Sequence, residues 1–515
     1  FNPGNGSFTK DRNYEIYVDK TELLKYLNRA IGTPGNCIAV SHARRFGKSH
    51  AAGMIDAYYS LGSDSAKLFK GTKIASDPDY EKYRNKYNVI HLDISSFWDF
   101  HKKDIVEKII EDIFKELKMD YPEEFNERDR ISYVLIKIYE KTGIPFVIIV
   151  DEWDCVVRNS TDQDLIHQYL QFLHSLFKSE ESKSFLALGY ITGIMPIKKI
   201  KDESALNNFE EYTMLKSRPI TKYYGFTEEE VKALCKRYDM DFETTKEWYN
   251  GYLIDGMHMY NPNSVSQAMK YHDFDSYWRN TSAFGTINNF IMMNYSGLKE
   301  DVLTMLSGGK VMVDTECFQN DLAEIHSKDD ALTALIHLGY LGYDADMLSA
   351  YIPNYEVAKA FQSALKTGEW KDVAASISKC DTLLMATISG NTEKVAELIE
   401  LAHDTYTSIL KYNDENSLSC VLTMAYFTAP AYYTIIREMP AGKGFADFVF
   451  LPRANAGNRP AMIVELKYNQ SADTVIRQIK EKRYQGALSG YESKILLVGI
   501  SYDSEKHHTC SIEEW

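Results

Sequence analysis

Between residues 36 and 194 the chain keeps switching between short apolar runs and amphipathic stretches, and this alternation limits the fold more than any single motif. NCIAVS precedes GKSHAAGMIDAYYS, NVIHLDIS precedes KKDIVEKIIEDIFKEL, PFVIIVDEWD precedes LIHQYLQFLHSLF, and SFLALGYITGI closes the series. Apolar, β-branched runs followed by 3.6-residue periodicity predict a parallel sheet with helices on both faces. After FTEEEVKALCKRY the pattern becomes helical, interrupted by the aromatic, Asn/Gly-rich WYNGYLIDGMHMYNPNSV. ALTALIHLGYLGYD followed by SAYIPNYEVAKAF predicts a helix, a small hairpin and a second helix, a winged-helix-like unit. The last part offers a helix, ENSLSCVLTMAYFTAP, the strands TIIREMP, FADFVFLP and AMIVELKY, a helix, ADTVIRQIKEKRY, and a final strand, KILLVGIS.

With 515 residues the chain exceeds what one core accommodates, so several domains are expected. The start, FNPGNGSFTKDRNYEIYVDK, lacks the basic-then-apolar profile of a signal peptide, and no apolar run approaches the roughly 20 residues of a membrane span. A cytoplasmic protein with no membrane partner is expected. Seven cysteines lie far apart without metal-ligand pairing and read as reduced, mostly buried small hydrophobes. A net charge of -15 excludes a surface that attracts nucleic acid everywhere, so any such contact must be local and metal-assisted. The basic clusters Arg44–Lys48, Lys198–Lys201 and Arg477–Arg483, each taken alone, read as a solvated charged face ahead of a binding patch. LLMATISGNTEKVAELIELAHD has the form of half an ankyrin repeat, but it occurs once and reads as a linking helix pair.

VSHARRFGKSH, residues 40–50, follows the first apolar run. A phosphate-gripping loop needs a strand ending in a turn of inward N–H groups, a lysine reaching the terminal phosphates and a hydroxyl for magnesium. CIAVS supplies the strand, Lys48 the cation and Ser49 the hydroxyl, while Arg44 and Arg45 add charge and the following helix turns its positive end toward the anion. His42 stands where the usual loop has its first glycine, which leaves the turn open. FVIIVDEWD then delivers Asp151 and Glu152 at the end of another strand. Asp151 is placed to hold magnesium and Glu152 to orient the attacking water, and the Thr192 hydroxyl of FLALGYIT to sense the terminal phosphate. The acidic pair also reads as an ordinary helix cap.

GKGFADFVFLPRANAGNRPAMIVELKY carries a second constellation. Residues i and i+2 of a strand share a face, so Glu465 and Lys467 point the same way, and a hairpin can bring Asp447 beside them. Converging carboxylates repel unless a divalent cation lies between them, and hard oxygen ligands suit magnesium or manganese. The lysine can then orient or deprotonate water for attack on phosphorus. Gln478 on the next helix could hold water or substrate, and Glu415 is a further metal-directed carboxylate or a helix N-terminal charge. Glu-x-Lys is also a common surface ion pair.

The run YVDKTELLKYL, ARRFGKS, IVDEWD, YITGI, ALNNFEEYTML, GFTEEEV, WYNGY, YNPNSV, HLGYLGYD, PNYEV, FADFVFLP, VELKY and QIKEKRY resembles the bacterial family that joins an AAA-ATPase-like domain to a PD-(D/E)XK nuclease-superfamily domain. The resemblance covers nearly the whole chain. That family commonly reads Arg-Arg-Phe-Gly-Lys-Ser without the first glycine, and "SHA" here replaces its proline-containing lead-in. The resemblance implies a loop of Arg44, Arg45, Gly47, Lys48 and Ser49, the acidic pair Asp151 and Glu152, and nuclease residues Asp447, Glu465 and Lys467, joined by Glu415 and Gln478. The expected fold is α/β and multidomain: an AAA-like P-loop ATPase domain over 1–225, a helical lid and winged-helix-like region over 226–360, a helical linker over 361–404 and an α/β restriction-endonuclease-like domain over 405–515. The expected function is ATP binding and hydrolysis with Mg²⁺, and cleavage of nucleic acid, DNA ahead of RNA, with Mg²⁺ or Mn²⁺ under nucleotide gating. A homo-oligomer is left open. The alternative is a nucleotide-switched module that binds nucleic acid or protein without cutting. The acidic net charge favours that alternative, and the intact Asp447, Glu465, Lys467 set favours the nuclease.

Overall fold

The computed structural model describes all residues except 123–128, 198–205, 278–286, 288, 291–292, 294, 307, 317, 319–324, 366–378, 411–420, 442–443, 453–457, 483–493 and 504–506. The chain divides into two compact units, Phe1–Tyr277 with Met312–Pro353, and Trp278–Val311 with Asn354–Trp515.

The first unit is built on strands β1 (Cys37–Ser41), β2 (Asn88–Asp93), β3 (Phe146–Asp151), β4 (Leu186–Gly193) and β5 (Glu210–Thr213). Their order is β2-β3-β4-β1-β5, with every neighbouring pair parallel. β1, β3 and β4 are buried along their whole length. This is why they read as unbroken apolar runs, without the alternation of a half-exposed strand. One face packs Ile90, Ile148 and Ile191 against the helices Ile105–Asp120, Ile131–Thr142 and Gln163–Phe177. The other packs Ile38, Val147 and Leu188 against Leu23–Ala30 and Lys48–Tyr59. All five strands run the same way, so the segments that leave β1, β3 and β4 emerge at one edge. β4 lies between the loop strand and the acidic strand, so the two are not direct neighbours.

Short strands β6 (Phe226–Thr227), β7 (Tyr252–Ile254) and β8 (Met257–Tyr260) form a small antiparallel ribbon in the same unit. The helix Glu228–Tyr238 is tied back by an ion pair of Glu230 with Lys20 at 2.6 Å, and the Gly225 amide donates to the Phe46 carbonyl of the loop after β1. After β9 (Val311–Met312), the helix Lys328–Leu338 and the hairpin β10 (Gly342–Asp344) and β11 (Ser349–Tyr351) appear where the sequence placed them, followed by the helix Tyr355–Leu365.

The second unit carries a mixed sheet of β12 (Tyr433–Ala441), β13 (Gly444–Pro452), β14 (Ala461–Tyr468), β15 (Ile495–Tyr502) and β16 (His508–Glu514), adjacent in sequence order. Only the β14–β15 pair is parallel. The helix Ala472–Glu481 connects that pair, and its Ile476 and Ile479 pack on Ile463 and Leu497. Among the described residues no helix is long and apolar enough to cross a membrane.

Packing cuts the chain elsewhere than at 225, 360 and 404. The stretch expected as a linker contributes the helix Thr392–Leu410, which lies against β16 and buries Val395, Ile399 and Ala402, and whose His403 Nδ1 is 2.9 Å from His508 Nε2. A helix with such an apolar stripe needs a cover, and the sheet supplies it. The breaks in periodicity along the sequence mark changes of element, whereas the unit boundaries follow which faces cover one another.

Candidate active sites

The first site grows from the turn between β1 and the helix Lys48–Tyr59. Gly47 precedes that helix at φ +89°, and an added Cβ would meet nothing within 4 Å, so glycine is required there for backbone conformation and not for space. Arg45 is the loop's other left-handed residue, at φ +67°. His42 is not left-handed, so the missing glycine costs the turn nothing. Its ring is fully buried, 2.8 Å from Ser217 Oγ through Nε2 and close to Tyr224, and its backbone amide donates to Gly193 on β4. Burial, with Lys48 adding to it, pushes His42 down to about 3, so the ring is neutral and serves as an anchor.

Lys48 is buried, and its ammonium donates to the carbonyls of His42 at 2.8 Å and Ala43 at 2.9 Å. Burial lowers it to about 8, against the pull of Asp151, Asp154 and Glu152. Ser49, Arg44 and Arg45 are exposed, and the Arg45 guanidinium reaches the Tyr277 carbonyl at 3.4 Å. A cavity of about 490 Å³ adjoins Gly47 and His50, walled by Phe8, Tyr17, Met54, Phe226 and Pro262.

Asp151 ends β3 buried. Its Oδ1 accepts from the Thr192 hydroxyl of β4 and from the Glu152 amide at 3.1 Å, so Oδ2 remains to serve a cation. Thr192 is thereby committed to Asp151. Glu152 follows at φ +52°, a conformation uncommon for a side chain of its size. Burial raises its carboxyl against the charge of Arg158. Two residues not singled out from sequence complete the cluster. Asp154 Oδ2 accepts from the amides of Ile194 at 3.1 Å and Met195 at 3.0 Å and from Arg158 Nε at 3.2 Å, while Arg158 Nη2 lies 3.8 Å from Glu152 Oε2. The only signal they left was an Asp and an Arg four apart just past the acidic strand.

The second site lies on β13 and β14. The register Phe448↔Val464 sets Asp447 across from Glu465. Asp447 Oδ2 accepts from the Leu466 amide at 2.9 Å, and Lys467 Nζ is 3.9 Å from Asp447 Oδ2 and 3.3 Å from Glu465 Oε2. Glu465 is only 3% exposed, and its Oε1 is buried without a hydrogen bond. Burial, with the Asp447 carboxylate adding and Lys467 opposing, pushes Glu465 up to about 7. Two carboxylates close enough that a proton on Glu465 can be shared with Asp447, with a buried Glu465 oxygen that no neighbouring N–H or O–H reaches, fit a hard divalent cation, whose remaining positions water and substrate can fill. No group of three or more His, Cys, Asp or Glu ligands forms among the described residues. Glu415 lies outside the described residues. Gln478 turns its amide to Gln470 Oε1 at 2.9 Å, in the bend between β14 and the helix, rather than to the carboxylates.

Residues 5–201 match the model of the family described as predicted AAA-ATPase, and residues 413–515 match that of the PD-(D/E)XK nuclease superfamily. A curated relative, described as an uncharacterized protein in the vnfD 5′ region of Azotobacter chroococcum mcd 1, is 24% identical over 272 residues, which make up 52% of this chain. The chain matches half of that relative's length, 50%. Solved structures with weak likeness include the replication initiator DnaA bound to AMPPCP and single-stranded DNA, at 11% identity, covering 72% of this chain and 93% of that one with a TM-score of 0.28. They also include the Aeropyrum pernix ORC2 protein in ADPNP-ADP complexes, at 12% identity, covering 71% and 99% with a TM-score of 0.25. The chain joins an AAA-ATPase-like domain to a C-terminal domain of the PD-(D/E)XK nuclease superfamily.

Proposed function

We propose that the chain binds and hydrolyses ATP with Mg²⁺ at the first site and cleaves nucleic-acid phosphodiesters at the second, with nucleotide state gating the cut. Lys48 and the amides around Gly47 would take the phosphates, Ser49 and Asp151 the magnesium, and Glu152 the attacking water. The adjoining cavity has the size and apolar walls that suit a nucleoside.

The observation that carries the nuclease reading is the convergence of Asp447, Glu465 and Lys467 on one sheet face, with Glu465 Oε1 buried and unbonded. A surface ion pair would not bury a carboxylate oxygen without a donor, because desolvating it costs on the order of several kcal/mol. Asp447 and Glu465 would hold the divalent ion, Mg²⁺ or Mn²⁺, which when bound supplies charge at the phosphoryl oxygen and an ionised water. Lys467 would orient that water and stabilise charge developing on phosphorus.

Cleavage of generic DNA and RNA by the full chain, with Mg²⁺ or Mn²⁺, tests the reading. Asp447→Asn should lower Mn²⁺ affinity and cleavage together. Lys467→Ala should leave Mn²⁺ binding near the parent and slow the chemical step by on the order of 10² to 10⁴. If parent and both variants bind Mn²⁺ alike, or none binds it even with nucleic acid present, the three residues are a salt-bridged strand pair and the chain is a nucleotide-switched binder.

A further inference from the structure

Beside the nucleotide site, Arg158 links two acids that have different jobs. Its Nε is 3.2 Å from Asp154 Oδ2, the oxygen that also takes the Ile194 and Met195 amides, so this end of the guanidinium is pinned to the backbone just beyond β4. Its Nη2 points to Glu152 Oε2 at 3.8 Å. Arg158 is 9% exposed and Asp154 1%, whereas Glu152 is 35% exposed, so a fixed cation faces a carboxylate that can still reach solvent. Glu152 itself stands at φ +52° with its amide held by Asp151 Oδ1. A left-handed backbone in a large side chain persists only where its surroundings impose it. Structural pairing with Asp154 alone would need only the Nε side of the guanidinium, and a planar fork that serves one acid with Nε and a second with Nη2 is specific to arginine.

We propose that Arg158 is the positioning residue for Glu152: anchored through Asp154, it holds the Glu152 carboxylate at the edge of the sheet where the attacking water must be oriented. The proposal rests on Glu152 as the water-orienting group of the first site. Arg158 touches neither nucleotide nor metal in this scheme and acts on turnover only through Glu152. Misplacing a catalytic group by about 1 Å can cost on the order of 10²-fold in rate.

The test is a double-mutant cycle in the full chain, with single-turnover hydrolysis of γ-labelled ATP and ATP-induced thermal stabilisation measured for parent, Arg158→Gln, Glu152→Gln and the double variant. Arg158→Gln should slow hydrolysis by about tenfold or more while stabilisation by ATP stays within about twofold in apparent affinity. In the Glu152→Gln background the same change should have no further effect. Arg158→Lys, which keeps the charge and loses the fork, should fold as the parent does and recover only part of the rate; it carries the test should Arg158→Gln not fold. Equal fold-losses in both backgrounds would make Arg158 a structural counter-ion and overturn the proposal, as would an unchanged or raised rate in Arg158→Gln and in Arg158→Lys. If parent hydrolysis does not depend on Glu152, the reading of the first site fails and this proposal with it, an outcome distinct from additive losses against a Glu152-dependent parent.

Discussion

Burial sets the chemistry of single side chains around the nucleotide loop. Lys48, lowered to about 8, sits with its ammonium on two loop carbonyls, and an incoming triphosphate would take over those contacts. Lys48→Ala should abolish ATP-induced stabilisation, which in the parent should reach about 2.7 kcal/mol when ATP stands at about 100 times its Kd. Equal thermal shifts in both proteins would remove this loop as the site. His42 has a different kind of task. Its folded value of about 3 lies below the roughly 6.5 of an unfolded chain, so between those values the unfolded state binds the proton and stability falls as pH drops below about 6.5. A non-titrating replacement escapes that loss. His42→Gln should therefore be less stable than the parent at pH 7.5, with the gap closing by on the order of 2 kcal/mol at pH 5.0. Urea unfolding at the two pH values checks this, and a gap that stays constant would mean His42 is not buried neutral. Lys48 and Asp151 could be singled out in the sequence because Asp151 ends one apolar run and Lys48 lies in the Gly-Lys-Ser turn that follows another, each a polar group of fixed chemical type. Asp154 and Arg158 could not, since an acid at the N-cap position of a short helix, Cys155–Asn159, and an arginine four residues on look like any surface pair until burial is known.

At the scale of elements, the strand pair β13–β14 shows how register makes a site. Period two places Glu465 and Lys467 on one face, and antiparallel pairing through Phe448↔Val464 brings Asp447 opposite; a slip of one residue would send all of them to the wrong side. The neighbouring strand contributes by what it lacks. Gly499 pairs with Glu465 across β14–β15, and a Cβ there would meet the Ala472 carbonyl at 2.7 Å and Val475 Cβ at 3.1 Å. Glycine thus lets the helix Ala472–Glu481 settle on the sheet beside the carboxylates. Gly499→Ala should cost about 1–3 kcal/mol in unfolding free energy by forcing that helix outward. A variant as stable as the parent would show that the helix has room to spare. The helix was legible from its periodicity, but the partner of Gln478 was not, because choosing Gln470 depends on the bend before the helix, which is held against the end of β15 by Ser501 and Tyr502. In the same way, the helix Thr392–Leu410 reads as an amphipathic linker until β16 is seen covering its apolar stripe.

For the molecule as a whole, two sites of different chemistry share one chain, and gating requires that the state of one change the rate at the other. Coupling free energies between sites are typically about 1–3 kcal/mol, equivalent to about 5- to 150-fold. Addition of ATP should therefore change the parent's cleavage rate by about tenfold, and Lys48→Ala should cleave at the nucleotide-free rate whether or not ATP is present. Cleavage that ignores ATP in the parent would leave two independent activities. The sequence by itself determined that the first unit is built on a parallel sheet, four of the five strands of each large sheet and the candidate residues of both sites, because buried strands must be apolar and phosphate and metal chemistry admits few side chains; the edge strands β5 and β16, short or half-exposed, left no such apolar run. Tertiary structure alone decided that β4 separates the loop strand from the acidic strand, that His42 is an anchor where a glycine was expected, and that Arg158 joins Asp154 to Glu152. It also decided that packing cuts the chain at 277, 311 and 353. These depend on which buried faces meet, and desolvation makes a buried charge or ring behave unlike the same residue in water, a property that no local pattern in the sequence encodes.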